Sequence, residues 1–153
     1  MASERTLILL KPDAVQRRLI GEILARFERK GLRVVGMKLM HMDQALAAKH
    51  YEAHQSKGFY AGLVKFMTSA PLVAMVLEGT QAVEVCRKMM GATFGFKAEP
   101  GTIRGDYAIS NQFNLVHGSD SPAAAEREIG LFFPGGQGLL EWSTADAGLH
   151  ASD

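Results

Sequence analysis

Residues 72–79 read LVAMVLEG, six apolar residues in succession before Glu78. A run this short and this continuous, preceded by Pro71 and ended by Gly79, suits a strand covered on both faces. Working outward, three more β-like runs appear at residues 6–10, 32–42 and 114–116. Between the first two lies IGEILARFERKG, residues 20–31, whose Ile20, Ile23, Leu24 and Phe27 recur at helical spacing, with Gly31 placed to stop the helix. Residues 43–54 open on Asp43, a good N-cap, and continue with helix formers. Residues 61–68 predict a short helix broken at Ser69-Ala70-Pro71, and residues 80–90 another between Gly79 and Gly91. Two βαβ-type units with helices on one face predict an α+β sandwich of the ferredoxin-like kind: a four-stranded antiparallel sheet with helices packed on it. A small parallel, doubly wound sheet fits the same periodicities.

The 153 residues, 47% apolar and 22% charged, suit one domain with a substantial core and argue against wholesale disorder. The lone Cys86 can make neither an intramolecular disulfide nor a Cys-based zinc site, so a cytoplasmic setting is expected. The N-terminal apolar stretch runs only from Leu7 to Leu10, too short for a signal peptide or a membrane span. Residues 1–65 carry a net charge of +6 and residues 66–153 one of −5, without a continuous basic run. Nucleic-acid binding is therefore not the expected main role, and cations converging on one cleft would favour a small anion. Residues 92–113 form a long irregular segment, a length usually functional or disordered. Residues 135–153 are expected to wrap the surface around Leu139, Leu140 and Trp142.

Chemistry concentrates in NLVHGSDSP, residues 114–122. A β run ends at His117, Gly118 permits a turn, and Ser121-Pro122 starts a helix whose Ala125, Ile129, Phe132 and Phe133 form one stripe. His117 would stand beside a helix N-terminus that favours an anion, where it could serve as base, metal ligand or phosphate-accepting nucleophile. The same residues serve equally as a capped strand-turn-helix junction. PGTIRGD, residues 100–106, puts Arg104 on a loop between Gly101 and Gly105, suited to bidentate phosphate binding. In LKPDA, residues 10–14, Lys11 ends a strand. His50 and His54 have i, i+4 spacing but lack the glutamate of a zinc-protease motif. His41, His50 and His150 carry no motif and read as surface or packing residues.

Together these segments resemble the nucleoside diphosphate kinase family. The resemblance runs from about residue 3 to 134 through ERTLILLKPDAVQR, IGEILARFERKGLRVVGMKL, FMTSAPLVAMVLEG, PGTIRGD and NLVHGSDS followed by AEREIGLFF. It implies transfer of the γ-phosphate of a nucleoside triphosphate, mainly ATP, to a nucleoside diphosphate by a ping-pong route through a phosphohistidine, with broad base tolerance. On that resemblance His117 is the nucleophile, Glu128 holds its other ring nitrogen, Ser119 steadies Glu128, and Tyr51 is a phenol close by. Arg87, Arg104, Thr93 and His54 match phosphate contacts. Lys11 and Asn114 match residues at the sugar hydroxyls, Lys11 also lying near the transferred phosphate. Phe59 matches the aromatic that stacks on the base, with Leu63 a nearby apolar wall. The resemblance implies Mg2+ held mainly by the nucleotide phosphates rather than by protein ligands. It also implies a homo-oligomer, a hexamer ahead of a tetramer or dimer.

Departures from the family pattern cluster in residues 94–113. Phe94-Gly95 stands for the usual Asn-Pro, exchanging a rigid residue for a flexible one in a loop that in the family helps pack subunits. Asn111 replaces a small apolar residue opposite Phe59 in the base slot. Gln112-Phe113 replaces Gly-Arg, and Lys57-Gly58 stands where Arg-Pro is common. These exchanges predict an active enzyme with an altered base slot and altered subunit packing.

Overall fold

A computed structural model describes residues 3–150. In chain order the elements are β1 (Ser3–Leu10), α1 (Pro12–Gln16), α2 (Ile20–Lys30), β2 (Arg33–Met40), α3 (Gln44–His50), α4 (Tyr60–Met67), β3 (Leu72–Thr80), α5 (Ala82–Met90), α6 (Ile103–Tyr107), β4 (Val116–Gly118) and α7 (Pro122–Phe132). The strands lie in the order β2-β3-β1-β4, and every neighbouring pair is antiparallel. That order sets aside the parallel sheet and gives the ferredoxin-like α+β sandwich.

The helices do not share one face. Alternate residues of β1 and β3 point to opposite sides. Ile8, Leu10, Val73 and Met75 pack with Ile23 and Phe27 of α2 and Ala82, Cys86 and Met90 of α5. Leu7, Leu9, Ala74 and Val76 pack with Ala47 of α3, Val64 and Met67 of α4, and Phe132 of α7. The expectation of helices on one face is corrected by the very run that opened the reading. Six successive buried residues, Leu72–Leu77, leave β3 apolar on both sides, so each side needs a layer.

Local signals explain most element ends. Gly31 takes φ +105° and closes α2 by donating to Glu28 and Phe27 carbonyls. Asp43 caps α3 by accepting from the Leu46 amide at 2.7 Å. Thr80, expected in a helix, stays in β3, and Gln81 turns the chain at φ +50°. The segment at α6 was expected to be loop, and no element was assigned at α1; each has five residues, too few for a 3.6-residue period to register. At the Phe94-Gly95 exchange the glycine also meets a demand for space. Gly95 is buried, and a Cβ there would lie 2.5 Å from the Ala108 carbonyl oxygen. Its neighbour Phe96 donates its amide to Ile109 at 3.1 Å, so the two arms of the loop run against each other.

The C-terminal segment lies along β2. Leu140 donates its amide to Val35 at 2.8 Å, the Trp142 indole N–H donates to Val34 at 2.9 Å, and Leu139 packs on the α7 side of the core. Among the described residues no helix is long and apolar enough to cross a membrane.

Candidate active site

His117 is the central residue of β4 and pairs with Leu9 of β1. The strand begins two residues later than the expected 114–116 because the chain first makes a tight turn. The Val116 amide donates to the Asn114 carbonyl at 2.8 Å, across Leu115 at φ +73°. This is a γ-turn of the uncommon positive-φ kind, a conformation that costs a branched residue about 1–3 kcal/mol. It is held from outside: the Leu115 amide donates to Asp13 Oδ2 at 3.1 Å and its carbonyl accepts from the Lys11 amide at 2.8 Å. Downstream, Ser121 accepts from the Ala124 amide at 3.0 Å and starts α7, with Pro122 at its first position.

Glu128 reaches back from α7 to place Oε1 2.9 Å from His117 Nε2. The Ser119 hydroxyl donates to the same oxygen at 2.7 Å and accepts from the Leu7 amide at 3.3 Å. Burial would push the Glu128 carboxyl up, but the hydrogen bonds from His117 and Ser119 and the nearby His117 charge outweigh it and hold the group below its ordinary range. An ionised Glu128 accepts only, so Nε2 carries a proton, and in the neutral form of the ring it is Nδ1 that holds the lone pair.

Three cations converge from distant parts of the sequence. Lys11 donates to Asn114 Oδ1 at 2.7 Å, and Asn114 Nδ2 donates to the Thr93 carbonyl at 2.9 Å. Arg104 is the second residue of α6, whose cap Thr102 accepts from the Gly105 amide. Expected on a loop, Arg104 is buried instead, donating to the carbonyls of Asn114 (3.2 Å), Gly91 (3.0 Å) and Val116 (2.6 Å). Arg87, on the last turn of α5, donates to the Gly118 carbonyl at 3.2 Å and to Asp120 at 2.7 Å. Burial and then the charge of Arg104 bring Lys11 down to about 8. Burial and then Arg87 bring Arg104 down to about 10. Both hold their charge at neutral pH.

An aromatic rim lies at α4. Phe59, just before that helix, is 54% exposed and is therefore no core residue. Its ring lies 5.4 Å from that of His54, and Lys57 donates toward His54 Nδ1 at 2.9 Å. Leu63, one turn on, is half-buried. Across from α4, Gln112 donates to the Gly62 carbonyl at 3.4 Å and Phe113 packs edge-on against Phe66 at 4.9 Å. Asn111 and Thr93 are exposed. Phe113, half exposed, thus finds part of the cover that its apolar ring requires.

Three residues near His117 carried no expected role. His50 is buried, its ring 4.9 Å from that of His117 and edge-on at 81°. Asp13 holds the γ-turn, and Asp120 holds Arg87. Asp13 and Asp120 fall inside KPDA and HGSDS and were legible as motif positions; His50 had only its place beside Tyr51. Tyr51 is itself buried with its hydroxyl unpartnered, and burial followed by the Glu128 charge raises its phenol. Cys86 is buried in the core, its thiol pushed up to about 12 by burial and then Glu4.

The sequence model of the family described as "Nucleoside diphosphate kinase" matches residues 4–137. The chain belongs to the nucleoside diphosphate kinase family. Membership makes it a phosphotransferase acting between nucleotides. A nucleoside diphosphate kinase from Nocardioides sp. is 59% identical over 133 residues, which are 87% of this chain and 98% of the relative. One from Synechococcus sp. is 54% identical over 148 residues, 97% of each. Among solved structures, a halophilic nucleoside diphosphate kinase from Halobacterium salinarum in complex with CDP superposes with a TM-score of 0.95 at 48% identity, over 99% of this chain and all of that one. A family protein from Babesia bovis gives a TM-score of 0.92 at 41% identity, over 95% and 98% of the two chains.

Proposed function

We propose that this nucleoside diphosphate kinase works by ping-pong transfer, with Nδ1 of His117 taking the γ-phosphate of a nucleoside triphosphate, mainly ATP, and passing it to a nucleoside diphosphate. The single observation that carries the reading is the hydrogen bond between His117 Nε2 and Glu128 Oε1 at 2.9 Å. It fixes the tautomer with a lone pair on Nδ1, and no hydrogen bond from a described residue occupies that nitrogen. In the first half-reaction Nδ1 forms a bond to phosphorus as the bond to the bridging oxygen breaks, and the nucleoside diphosphate leaves. The second half-reaction reverses this with another diphosphate.

Phosphoryl transfer asks a protein for positioning and charge. We assign Arg87, Arg104 and Lys11 to the polyphosphate, with His54 and the Thr93 hydroxyl as further contacts. Lys11 and Asn114 also meet the sugar hydroxyls. Tyr51 closes the ring cluster beside the nucleophile. Phe59 stacks on the base against Leu63, and Asn111 faces it; stacking tolerates every base because each has a π-face. The nearby carboxylates are engaged: Glu128 by His117 and Ser119, Asp120 by Arg87, Asp13 by the Leu115 amide. That donor set suits Mg2+ arriving on the nucleotide's phosphates, where it would offset their charge.

We read residues 1–153 as one such domain, in the cytoplasm, assembled as a homo-oligomer with a hexamer ahead of smaller assemblies. Exposed apolar side chains support assembly: Leu39 on β2, and Phe96 and Ile109 on the loop before β4. The test of mechanism is acid-labile, base-stable labelling of the chain by ATP carrying a labelled γ-phosphate. The label should be discharged by each nucleoside diphosphate and be absent in His117→Ala; a labelled His117→Ala overturns the assignment.

A further inference from the structure

His50, His117 and Glu128 come from α3, β4 and α7, and each offers a donor atom, all within 4.8 Å of one another. His117 and Glu128 already engage each other. His50 does not share that bond. It is 7% exposed, and both its ring nitrogens are buried without a hydrogen-bond partner. Leaving buried polar groups unpaired costs about 1–3 kcal/mol each. A phenylalanine packed edge-on against Tyr51, His117 and Phe132, as this ring is, would avoid that cost. The imidazole is a donor with no described use, lying against two groups that are metal ligands by chemistry.

We propose that His50, His117 and Glu128 form a binding site for a nitrogen-preferring divalent cation of the Zn2+ class, and that its occupancy blocks phosphoryl uptake. Two neutral imidazoles and one carboxylate are a familiar zinc donor set, with a fourth position for water. Zinc bonds of about 2.0–2.1 Å put tetrahedral donors roughly 3.3 Å apart, so binding would draw together donors that now lie within 4.8 Å of one another. Mg2+ requires oxygen ligands and a larger shell, so it does not compete for this site.

Blocking follows from the ring's one proton. A metal bound to the Nε2 lone pair displaces the proton that Nε2 shares with Glu128, and that proton moves to Nδ1. Nδ1 then has no lone pair with which to form a bond to phosphorus. This consequence rests on His117 being the nucleophile; the binding itself does not.

The test titrates the intact enzyme in nucleotide-free buffer with Zn2+ by calorimetry and with Co2+ by visible absorption. One saturable site per chain is expected, with the intense bands of four-coordinate Co2+ and binding weakened at least about tenfold in His50→Phe. Zn2+-loaded enzyme, freed of excess metal and given ATP with Mg2+, should take up label at least about tenfold more slowly and recover after EDTA, each variant being compared with its own metal-free rate. Lack of saturable binding, binding unchanged in His50→Phe, or undiminished labelling of loaded enzyme overturns the proposal. Should His50→Phe not fold, Glu128→Gln gives the same comparison through the Co2+ spectrum. Labelling of metal-free His117→Ala would instead overturn the choice of nucleophile, so the two failures are told apart.

Discussion

Lys11 Nζ donates to Asn114 Oδ1 at 2.7 Å, tying the end of β1 to the turn that feeds β4. The amine is buried, and its pKa is brought from 10.5 to about 8. Two opposite pH effects follow. Phosphoenzyme formation should decline as pH rises through about 8, because Lys11 loses the charge proposed to meet phosphate. Stability should move the other way. Between pH 8 and 10.5 the folded state holds fewer protons than the unfolded chain, so stability rises across that window. Relative to Lys11→Gln, the gain reaches up to about 3 kcal/mol. Urea unfolding of both proteins at a series of pH values measures it, and a constant difference above pH 8 would count against the buried cation.

Glu128→Gln keeps the size of the side chain but removes the charge that fixes the His117 tautomer. Labelling of His117 in a single turnover should slow on the order of 100-fold. Ser119→Ala should act more on the fold, since it leaves the buried Leu7 amide without its acceptor; a loss of about 1–3 kcal/mol is expected. Rapid-quench labelling beside urea midpoints separates the two effects.

Arg87 is paired with Asp120, a partner that would compete with the phosphate proposed to bind there. Both side chains are well exposed, so the pair is worth about 0–1 kcal/mol. Asp120→Asn should therefore lower KM for nucleotide by no more than about fivefold, the factor corresponding to 1 kcal/mol, with kcat little changed. A KM that rises instead would mean that Asp120 orients Arg87 rather than competing for it.

Gly95→Ala places a Cβ 2.5 Å from the Ala108 carbonyl oxygen, a contact the backbone must move to relieve. A cost of about 1–3 kcal/mol is expected, with faster hydrogen exchange at the Phe96 amide, which bonds Ile109. An unchanged melting temperature would mean that the loop absorbs the added Cβ and that space does not require the glycine.

Much of this was legible before any coordinates. The continuous run of β3, the stop at Gly31 and the cap at Asp43 are local signals, and local chemistry made them. What escaped depends on distant partners. Arg104 was expected on a loop, and its burial was not legible, because the carbonyls of Gly91, Asn114 and Val116 that enclose it belong to other segments. The start of β4 was misplaced because Leu115 sits at positive φ only under the hold of Asp13 and Lys11, over a hundred residues away. His50 looked ordinary because nothing in its own helix reveals the ring it faces.

The cations of the site have a second consequence, in solubility. β4 is three residues long and, among the described residues, pairs only with β1, so its other side is a sheet edge. There Val116 offers its carbonyl to Arg104 Nη2 and Gly118 offers its own to Arg87 Nη1. Two guanidiniums thus occupy positions where a foreign strand could otherwise add itself to the sheet. Removing either arginine should do more than weaken the proposed phosphate contact, because it uncovers a template for aggregation.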